Sequence, residues 1–349
     1  MDKNIYLEEL IELKSMMKQV KNTPYSIYAK VLSLTMMNMH YERVAFSIQP
    51  DKHPYSLTKD IIYNTKKMFE SLMDVAFIES HNKYISGHKD KELTKKHQEL
   101  WQEIWDRHTK DEYREFIDLK AYRLEINNLI PYIKNKKCVD IGCGNAAFTF
   151  ALLEKGASFV TGIDFGTKSI EYAKIMAKEL GYEDQTRFLI RQVYDNGLEN
   201  DYYDFAVSNG VFHHLSLENM EKAVSESSRI LIKGGWLWYY IDGSGSISAD
   251  LWDNSVEILE DVPVLKIESI LKGLNVSRNK MVHLMDSLSA TYIHSSYKDT
   301  VDMLSKYEFT NFRRLAGGTA TDLDNVESDP FSKEKFGEGD LRILAQKKE

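Results

Sequence analysis

The first part of the chain repeats its apolar positions every three or four residues, which is the period of an amphipathic helix. The stretches YLEELIELKSMMKQV and TKDIIYNTKKMFESLMDVAFI both show this repeat. A further helical stretch begins at QELWQEIWDRH and ends near Pro131. The pattern predicts an N-terminal helical region over residues 1–95 and a second domain over residues 96–349, which begins with that further helix.

After Pro131 the apolar pattern changes to short β-rich runs: KCVDIG, SFVTGID, RFLIRQ, YDFAVSNG and GWLWYYIDG. Helix-like segments separate these runs, and such alternation is typical of a parallel sheet with helices on both faces. Two more β-rich runs, TNFRRLAGG and DLRILAQKK, lie near the end of the chain, and we expect them to pair antiparallel. The sequence therefore predicts an α/β fold with a mostly parallel seven-stranded sheet.

Two segments interrupt this alternation. Residues 243–298 are mostly helical in pattern, so we interpret them as a helical insertion. Residues 317–339 form a long, acidic, turn-rich connection between the last two strands, and loops of that length are commonly functional or disordered.

Composition and charge narrow the classes of function. With 43% apolar and 28% charged residues, the 349-residue chain has an ordinary globular composition. A net charge of −8 argues against nucleic acid or a membrane surface as partner. No apolar run approaches the roughly 20 residues that span a bilayer. The acidic start MDKNIYLEEL does not resemble a signal peptide, and the two cysteines form no disulfide framework, so we expect a cytoplasmic protein without a metal site.

The segment CVDIGCGNAAF carries the most specific chemistry. Gly142 and Gly144 form a turn between a strand and a helix, where a ligand can approach the backbone at the positive helix N-terminus. A phosphate-binding turn would not place a carboxylate, here that of Asp140, immediately before its glycines, because both groups are negatively charged. Asp164 ends the next strand, where an acid can accept hydrogen bonds from two ribose hydroxyls. A ligand that places an amino-acid group at the first turn and a ribose at the second is consistent with S-adenosylmethionine.

Four segments, in this order, resemble the class I (Rossmann-like) S-adenosylmethionine-dependent methyltransferases. VDIGCGNAAF is similar to their first motif, VTGIDF to the acidic motif of the second strand, YDFAVSNGVFHHL to the fourth-strand motif of small-molecule members, and RILIKGGWLWYY to the turn before the fifth strand. Ala146 departs from the family pattern, because a third glycine is common there. The resemblance implies a Rossmann-like sheet whose last strand is antiparallel.

The resemblance also implies a set of cofactor contacts. Asp140 and the turn after it would hold the methionine portion, Asp164 the ribose, and the segment after the third strand the adenine. The implied cofactor-binding residues are Asp140, Gly142, Cys143, Gly144, Asn145, Asp164, Phe165, Val193, Tyr194, Asp195 and Asn209.

Catalytic and acceptor residues follow the fourth strand and the insertion. His213 matches the base of some plant-type O-methyltransferases, with His214 beside it; contact with the cofactor and structural hydrogen bonding are the alternatives. By analogy with family members, Tyr292, His294 and Tyr297 would line the acceptor pocket and residues 243–298 would cap it.

The sequence thus favours a methyltransferase that acts on an N or O nucleophile of a small molecule. One alternative is an NAD(P)-dependent oxidoreductase, because Gly142, Gly144 and Ala147 also satisfy the dinucleotide pattern. The other is a non-catalytic scaffold protein that binds S-adenosylmethionine. The long helical regions are compatible with a homodimer.

Overall fold

The computed structural model describes residues 2–45, 52–75, 109–276, 281, 284–285, 292–318 and 329–349. The helices outside the sheet domain are α1 (Asn4–Gln19), α2 (Pro24–Ala45), α3 (Pro54–Val75), α9 (Ile247–Leu259), α10 (Val264–Gly273) and α12 (Ser332–Phe336). These helices belong to one compact unit, and the sheet with its flanking helices belongs to a second.

The helical unit joins the N-terminal region to the insertion. The Tyr6 hydroxyl donates to the Asp250 carboxylate at 2.5 Å, and the Asn38 amide donates to the Ser255 hydroxyl at 3.0 Å. Each bond links an N-terminal helix to α9. In the described parts of both segments the residues are mostly helical, and α9 packs with the N-terminal helices.

The sheet unit contains β1 (Lys137–Ile141), β2 (Phe159–Asp164), β3 (Thr186–Ile190), β4 (Tyr203–Asn209), β5 (Leu231–Asp242), β6 (Phe309–Arg314) and β7 (Asp340–Lys347). Its helices are α4 (Lys110–Ile126), α5 (Ile130–Ile133), α6 (Ala147–Glu154), α7 (Thr167–Leu180), α8 (Leu217–Ile230) and α11 (Tyr297–Lys306), with 3₁₀ turns at Glu183–Gln185 and Phe212–His214.

The strand order is β3-β2-β1-β4-β5-β7-β6, and the first five strands are parallel. β7 pairs antiparallel with both β5 and β6. The predicted Rossmann-like fold, with seven strands and an antiparallel last strand, is confirmed. Successive strands are added on one side of β1 as far as β3 and then on its other side from β4, so β1 and β4 meet at the topological switch point where such sheets bind ligands.

Alternating side chains separate two cores, as the period of a strand requires. On one face, Cys138, Val207 and Trp238 pack with Tyr113 and Ile117 of α4 and with helices α6 and α7. On the other face, Val139, Ile141, Ala206 and Tyr239 pack with α8 and α11. Both cores end at the carboxyl edge of the sheet, where polar residues replace apolar ones.

No helix in the described ranges combines the length and apolar character needed to cross a bilayer.

Candidate functional site

The turn after β1 is built mainly from backbone. Gly142 and Gly144 have φ angles of +75° and +49°, a region that glycine enters at no steric cost. The amides of Gly142 and Cys143 donate to the Ile163 carbonyl at 2.8 and 2.9 Å, which ties the turn to β2. A Cβ atom on Gly142 would lie 2.5 and 2.7 Å from the methyl groups of Val211. Both conformation and space therefore require glycine at 142.

The turn leads directly into α6. Ala146 is buried and left-handed, with φ of +62°, although it carries a side chain. This conformation costs an L-residue about 1–2 kcal/mol, which explains why glycine is common at this position. Oδ1 of the Asn145 side chain accepts a hydrogen bond from the Ala147 amide at 3.1 Å. The backbone carbonyl of Asn145 accepts a hydrogen bond from the Tyr113 hydroxyl at 2.5 Å. The turn is thus held from α4 as well as from β2.

Asp140 is buried at the end of β1, and its Oδ2 accepts the Thr149 hydroxyl at 2.8 Å. Burial raises the pKa of Asp140 to about 7, although the hydrogen bonds from Thr149 oppose that shift. The neighbouring Asp164 raises the pKa of Asp140 further. A cation bound here would lower this pKa, because it would stabilise the carboxylate.

Asp164 connects two turns through one carboxylate. Its Oδ2 accepts the Gly144 amide at 3.0 Å and its Oδ1 accepts the Gly166 amide at 2.7 Å. Burial raises the pKa of Asp164, while these two amide hydrogen bonds lower it. Each carboxylate oxygen keeps acceptor capacity beyond one amide, so Asp164 can also accept two hydroxyl groups.

The predicted adenine segment lies beside Asp164. The Arg191 amide donates to the Asp164 carbonyl at 2.9 Å, which places the chain after β3 next to the end of β2. Within this segment Val193 is buried, Tyr194 is half-buried, and Asp195 is exposed. Phe165, half-buried, follows Asp164 directly. The structure thus places Phe165, predicted to lie against the adenine, near the segment that carries the alternative edge contacts Val193, Tyr194 and Asp195.

Cys143 is buried within the turn. Burial raises the pKa of its thiol, which disfavours the thiolate that a nucleophile would need. Within the described ranges, no group of three or more His, Cys, Asp and Glu side chains is arranged to hold a metal ion.

Two histidines gather beyond β4. The Nε2 atoms of His213 and His214 lie 3.1 Å apart, and Nδ1 of buried His213 lies 3.7 Å from the Asp242 carboxylate. The Tyr292 ring lies 5.1 and 4.7 Å from the two imidazole rings, and it stacks on His294 at 6.1 Å. Four of the five predicted catalytic and acceptor residues therefore form one cluster.

The fifth residue, Tyr297, begins α11 and packs against the core formed by Val139, Ile141 and Tyr239. The contacts of its ring are therefore with the apolar core.

A polar row continues from the site along the carboxyl edge, and sequence reasoning identified only its first residue, Asn209. Asn209, Tyr240 and Arg342 are register partners on β4, β5 and β7. The Arg342 guanidinium lies 4.8 Å from the centre of the Tyr240 ring, and the Tyr240 hydroxyl donates to Asp242 at 2.8 Å. Sequence reasoning missed Tyr240, Asp242 and Arg342, although Tyr240 and Asp242 lie near the end of a strand as Asp140 and Asp164 do.

Thr149 was also missed. It lies nine residues after Asp140, in the first turn of α6, and a threonine within an apolar helix gives no sign of its partner.

Comparison with known proteins identifies the part of the chain that contains this turn. Residues 139–239 match the family model described as "Methyltransferase domain". This segment is a class I S-adenosylmethionine-dependent methyltransferase domain. The match runs from within β1 to within β5, so it includes the turn, both acids and the two histidines.

Two curated relatives of the methyltransferase domain have names that describe different methyltransferases. The ubiquinone biosynthesis O-methyltransferase of Paracidovorax citrulli is 29% identical over 148 residues, which are 41% of this chain and 58% of that protein. The ribosomal protein L11 methyltransferase of Shewanella piezotolerans is 37% identical over 68 residues, 20% of this chain and 23% of that protein. The chain thus spans little more than half the length of the first relative.

Among solved structures, the magnesium protoporphyrin IX methyltransferase of Synechocystis PCC 6803, with bound S-adenosylmethionine, is 14% identical with a TM-score of 0.42. The match covers 71% of this chain and 90% of that one.

Proposed function

We propose that the protein transfers a methyl group from S-adenosylmethionine to an oxygen or nitrogen atom of a small-molecule acceptor. The observation that carries the proposal is the Asp164 carboxylate, held by the Gly144 and Gly166 amides. It lies within the methyltransferase domain, beside the glycine turn that follows Asp140.

The residues of the site fit the parts of the cofactor. Asp164 has two oriented oxygens with spare acceptor capacity, which suits the ribose diol. Asp140 offers a buried negative charge to the ammonium group of the methionine portion, and the glycine turn admits that portion close to the backbone. Phe165, Val193, Tyr194 and Asp195 would surround the adenine, and Asn209 would lie near the methionine portion.

When bound, S-adenosylmethionine supplies a methyl group on a positively charged sulfur, and an acceptor atom displaces the sulfur in line. The contribution of the protein is to hold the acceptor opposite the sulfur and to exclude water. Buried side chains at the carboxyl edge, such as His213 and Arg342, serve the exclusion of water.

A hydroxyl or protonated amine acceptor must also lose a proton. His213 is suited to accept it, because Asp242 near its Nδ1 would stabilise the imidazolium that forms. Tyr292 and His294 lie beside His213 and would contact the acceptor.

Two features support a small-molecule acceptor. The ubiquinone biosynthesis relative, which acts in the synthesis of a small molecule, matches 148 residues, against 68 for the ribosomal protein methyltransferase. The net charge of −8 does not favour a polyanionic substrate such as nucleic acid.

Two measurements test the proposal. Calorimetric titration with S-adenosylhomocysteine should show saturable binding, whereas titration with NADH should show none; the reverse result would indicate an oxidoreductase. Methyl-labelled S-adenosylmethionine, incubated with the protein and a metabolite extract, should yield a labelled small molecule that mass spectrometry identifies. Binding without any labelled product would indicate the scaffold function instead.

A further inference from the structure

The backbones of Asp242 and His213 are both held in place. Asp242 ends β5 as the register partner of Asp340, and its carbonyl accepts the Ser295 amide at 3.0 Å. His213 lies in the 3₁₀ turn after β4, and its carbonyl accepts the Ile293 amide at 2.8 Å. Because the two backbones are fixed, the contact between the side chains depends on the direction of the Asp242 carboxylate.

The two carboxylate oxygens of Asp242 have different neighbours. Oδ2 lies 3.7 Å from Nδ1 of His213, and Oδ1 accepts the Tyr240 hydroxyl at 2.8 Å. Tyr240 precedes Asp242 by two residues in β5, so both side chains project from the same face of the sheet. The Tyr240 hydroxyl therefore holds Oδ1, and this sets the direction of Oδ2 toward His213.

Tyr240 also contacts His213 itself. The centres of the two rings lie 5.8 Å apart at an interplanar angle of 79°, which is an edge-to-face arrangement. Burial and the charge of Asp242 raise the pKa of the Tyr240 hydroxyl, so this hydroxyl keeps its proton and remains a donor. Tyr240 thus contacts both members of the His213–Asp242 pair, one through its ring and the other through its hydroxyl.

Arg342 of β7 packs on the ring of Tyr240. Its guanidinium lies 4.8 Å from the centre of that ring, a cation–π contact. Arg342 also pairs with the Asp340 carboxylate at 2.7 Å, which offsets the negative charge of the strand partner of Asp242. Tyr240 is therefore supported from β7 on the ring side and bound to Asp242 through its hydroxyl.

We propose that Tyr240 is a positioning residue for methyl transfer, which directs the Asp242 carboxylate toward Nδ1 of His213. This inference rests on the proposed function, in which His213 takes a proton from the acceptor. A carboxylate that faces Nδ1 favours the tautomer protonated there, because it would repel a lone pair. Nε2, which faces His214 at 3.1 Å, then carries the lone pair that accepts the proton. Without the Tyr240 hydroxyl, Oδ1 loses the hydrogen bond that holds it.

The test uses Tyr240→Phe in the full chain, because phenylalanine removes the hydroxyl and keeps the ring. Methyl-labelled S-adenosylmethionine is supplied at saturation, together with increasing amounts of a metabolite extract. The maximum rate of label transfer should fall about tenfold, the usual effect of losing one hydrogen bond to a charged group. The amount of extract that gives half the maximum rate should not change, because the hydroxyl is bound to Asp242 and not to the acceptor.

Tyr203→Phe is the matched control. It also removes a tyrosine hydroxyl from the sheet domain, one that donates to Thr161 at 3.0 Å at the start of β4. This position lies at the opposite edge of the sheet from His213, so the rate should equal that of the wild type. A similar loss of rate in Tyr203→Phe and Tyr240→Phe would indicate a general effect on packing and would overturn the proposal.

A double variant tests whether Tyr240 acts through His213. In a protein that already carries His213→Ala, Tyr240→Phe should cause no further loss of rate, because its effect depends on the imidazole. The affinity of Tyr240→Phe for S-adenosylhomocysteine should equal that of the wild type. A further tenfold loss in the double variant, or weaker binding of S-adenosylhomocysteine, would assign Tyr240 to another role and overturn the proposal.

Two remaining outcomes separate this inference from the proposed function. Label transfer at an unaltered rate in Tyr240→Phe or in His213→Ala would overturn this inference and leave methyl transfer in place. Absence of any labelled product with the wild type would reject the proposed function itself, and this inference with it.

Discussion

Asp164 uses one carboxylate to hold two turn amides and to present acceptor capacity to a ligand. Asp164→Ala should weaken S-adenosylhomocysteine binding by about 1–3 kcal/mol, roughly ten- to a hundredfold, because it removes charge-assisted hydrogen bonds to the ribose. Calorimetric titration measures the change. Asp184→Ala, at an exposed acid of the 3₁₀ turn before β3, is the control and should bind normally. Equal affinity in wild type and Asp164→Ala would reject the ribose assignment.

Asp140 gives the site a pH dependence. Its pKa of about 7 leaves it mostly protonated at pH 6, when it offers little charge to an ammonium group. S-adenosylhomocysteine should therefore bind about tenfold more weakly at pH 6 than at pH 8, because only about a tenth of the protein is in the competent form. Titration at both values checks this.

Asp140→Asn should bind S-adenosylhomocysteine weakly at both pH values, without an increase in affinity between pH 6 and pH 8. That result would assign the pH dependence to Asp140 and not to the nearby histidines. An increase in affinity that persists in Asp140→Asn would assign the pH dependence to another group.

In the ligand-free protein, the raised pKa of Asp140 has the opposite consequence for stability. The folded state holds this proton more tightly than the unfolded state, whose pKa is near 3.8. The contribution of Asp140 to stability therefore falls as pH rises from about 4 to about 7.

At the scale of elements, the glycine turn permits a controlled comparison. Gly142 and Gly181 have nearly the same φ, +75° and +77°, but a Cβ atom would collide with Val211 only at Gly142. Gly181→Ala should cost about 1 kcal/mol of unfolding free energy through conformation alone, and Gly142→Ala about 1–3 kcal/mol more through overpacking. Urea denaturation measures both values. Equal costs would show that the segment after β4 does not pack tightly on the turn.

The 3₁₀ turn Phe212–His214 places the candidate base. His213→Ala should slow methyl transfer about 10²- to 10⁴-fold, the usual contribution of general base catalysis, while affinity for S-adenosylhomocysteine stays unchanged. The initial rate of label transfer to the identified acceptor is the measurement. An unaltered rate would remove His213 as the base and leave it a structural role beside Asp242.

Local patterns predicted the elements well, and they failed where the site depends on pairing between distant segments. Strand-end acids and the glycine turn can be recognised because each feature lies within one short segment. Arg342 joins Tyr240 only through the antiparallel pairing of β5 with β7, which brings together residues about a hundred positions apart.

For the whole molecule, the sequence predicted the class of domain but not the grouping of its segments. The helical character of residues 247–259 follows from their apolar period, whereas their packing with α1 and α2 depends on contacts such as that of Tyr6 with Asp250. No short-range pattern encodes such contacts. The predicted acidic connection over residues 317–339 lies partly outside the described residues, as the predicted boundary near residue 95 does entirely.

The most direct test of the central claim is a crystal structure of the protein with S-adenosylhomocysteine. The account predicts the ribose hydroxyls within hydrogen-bond distance of the Asp164 carboxylate and the amino-acid portion at the turn after Asp140. Electron density for the nucleoside at any other place, or on the sheet edge with both carboxylates out of reach, would contradict the account.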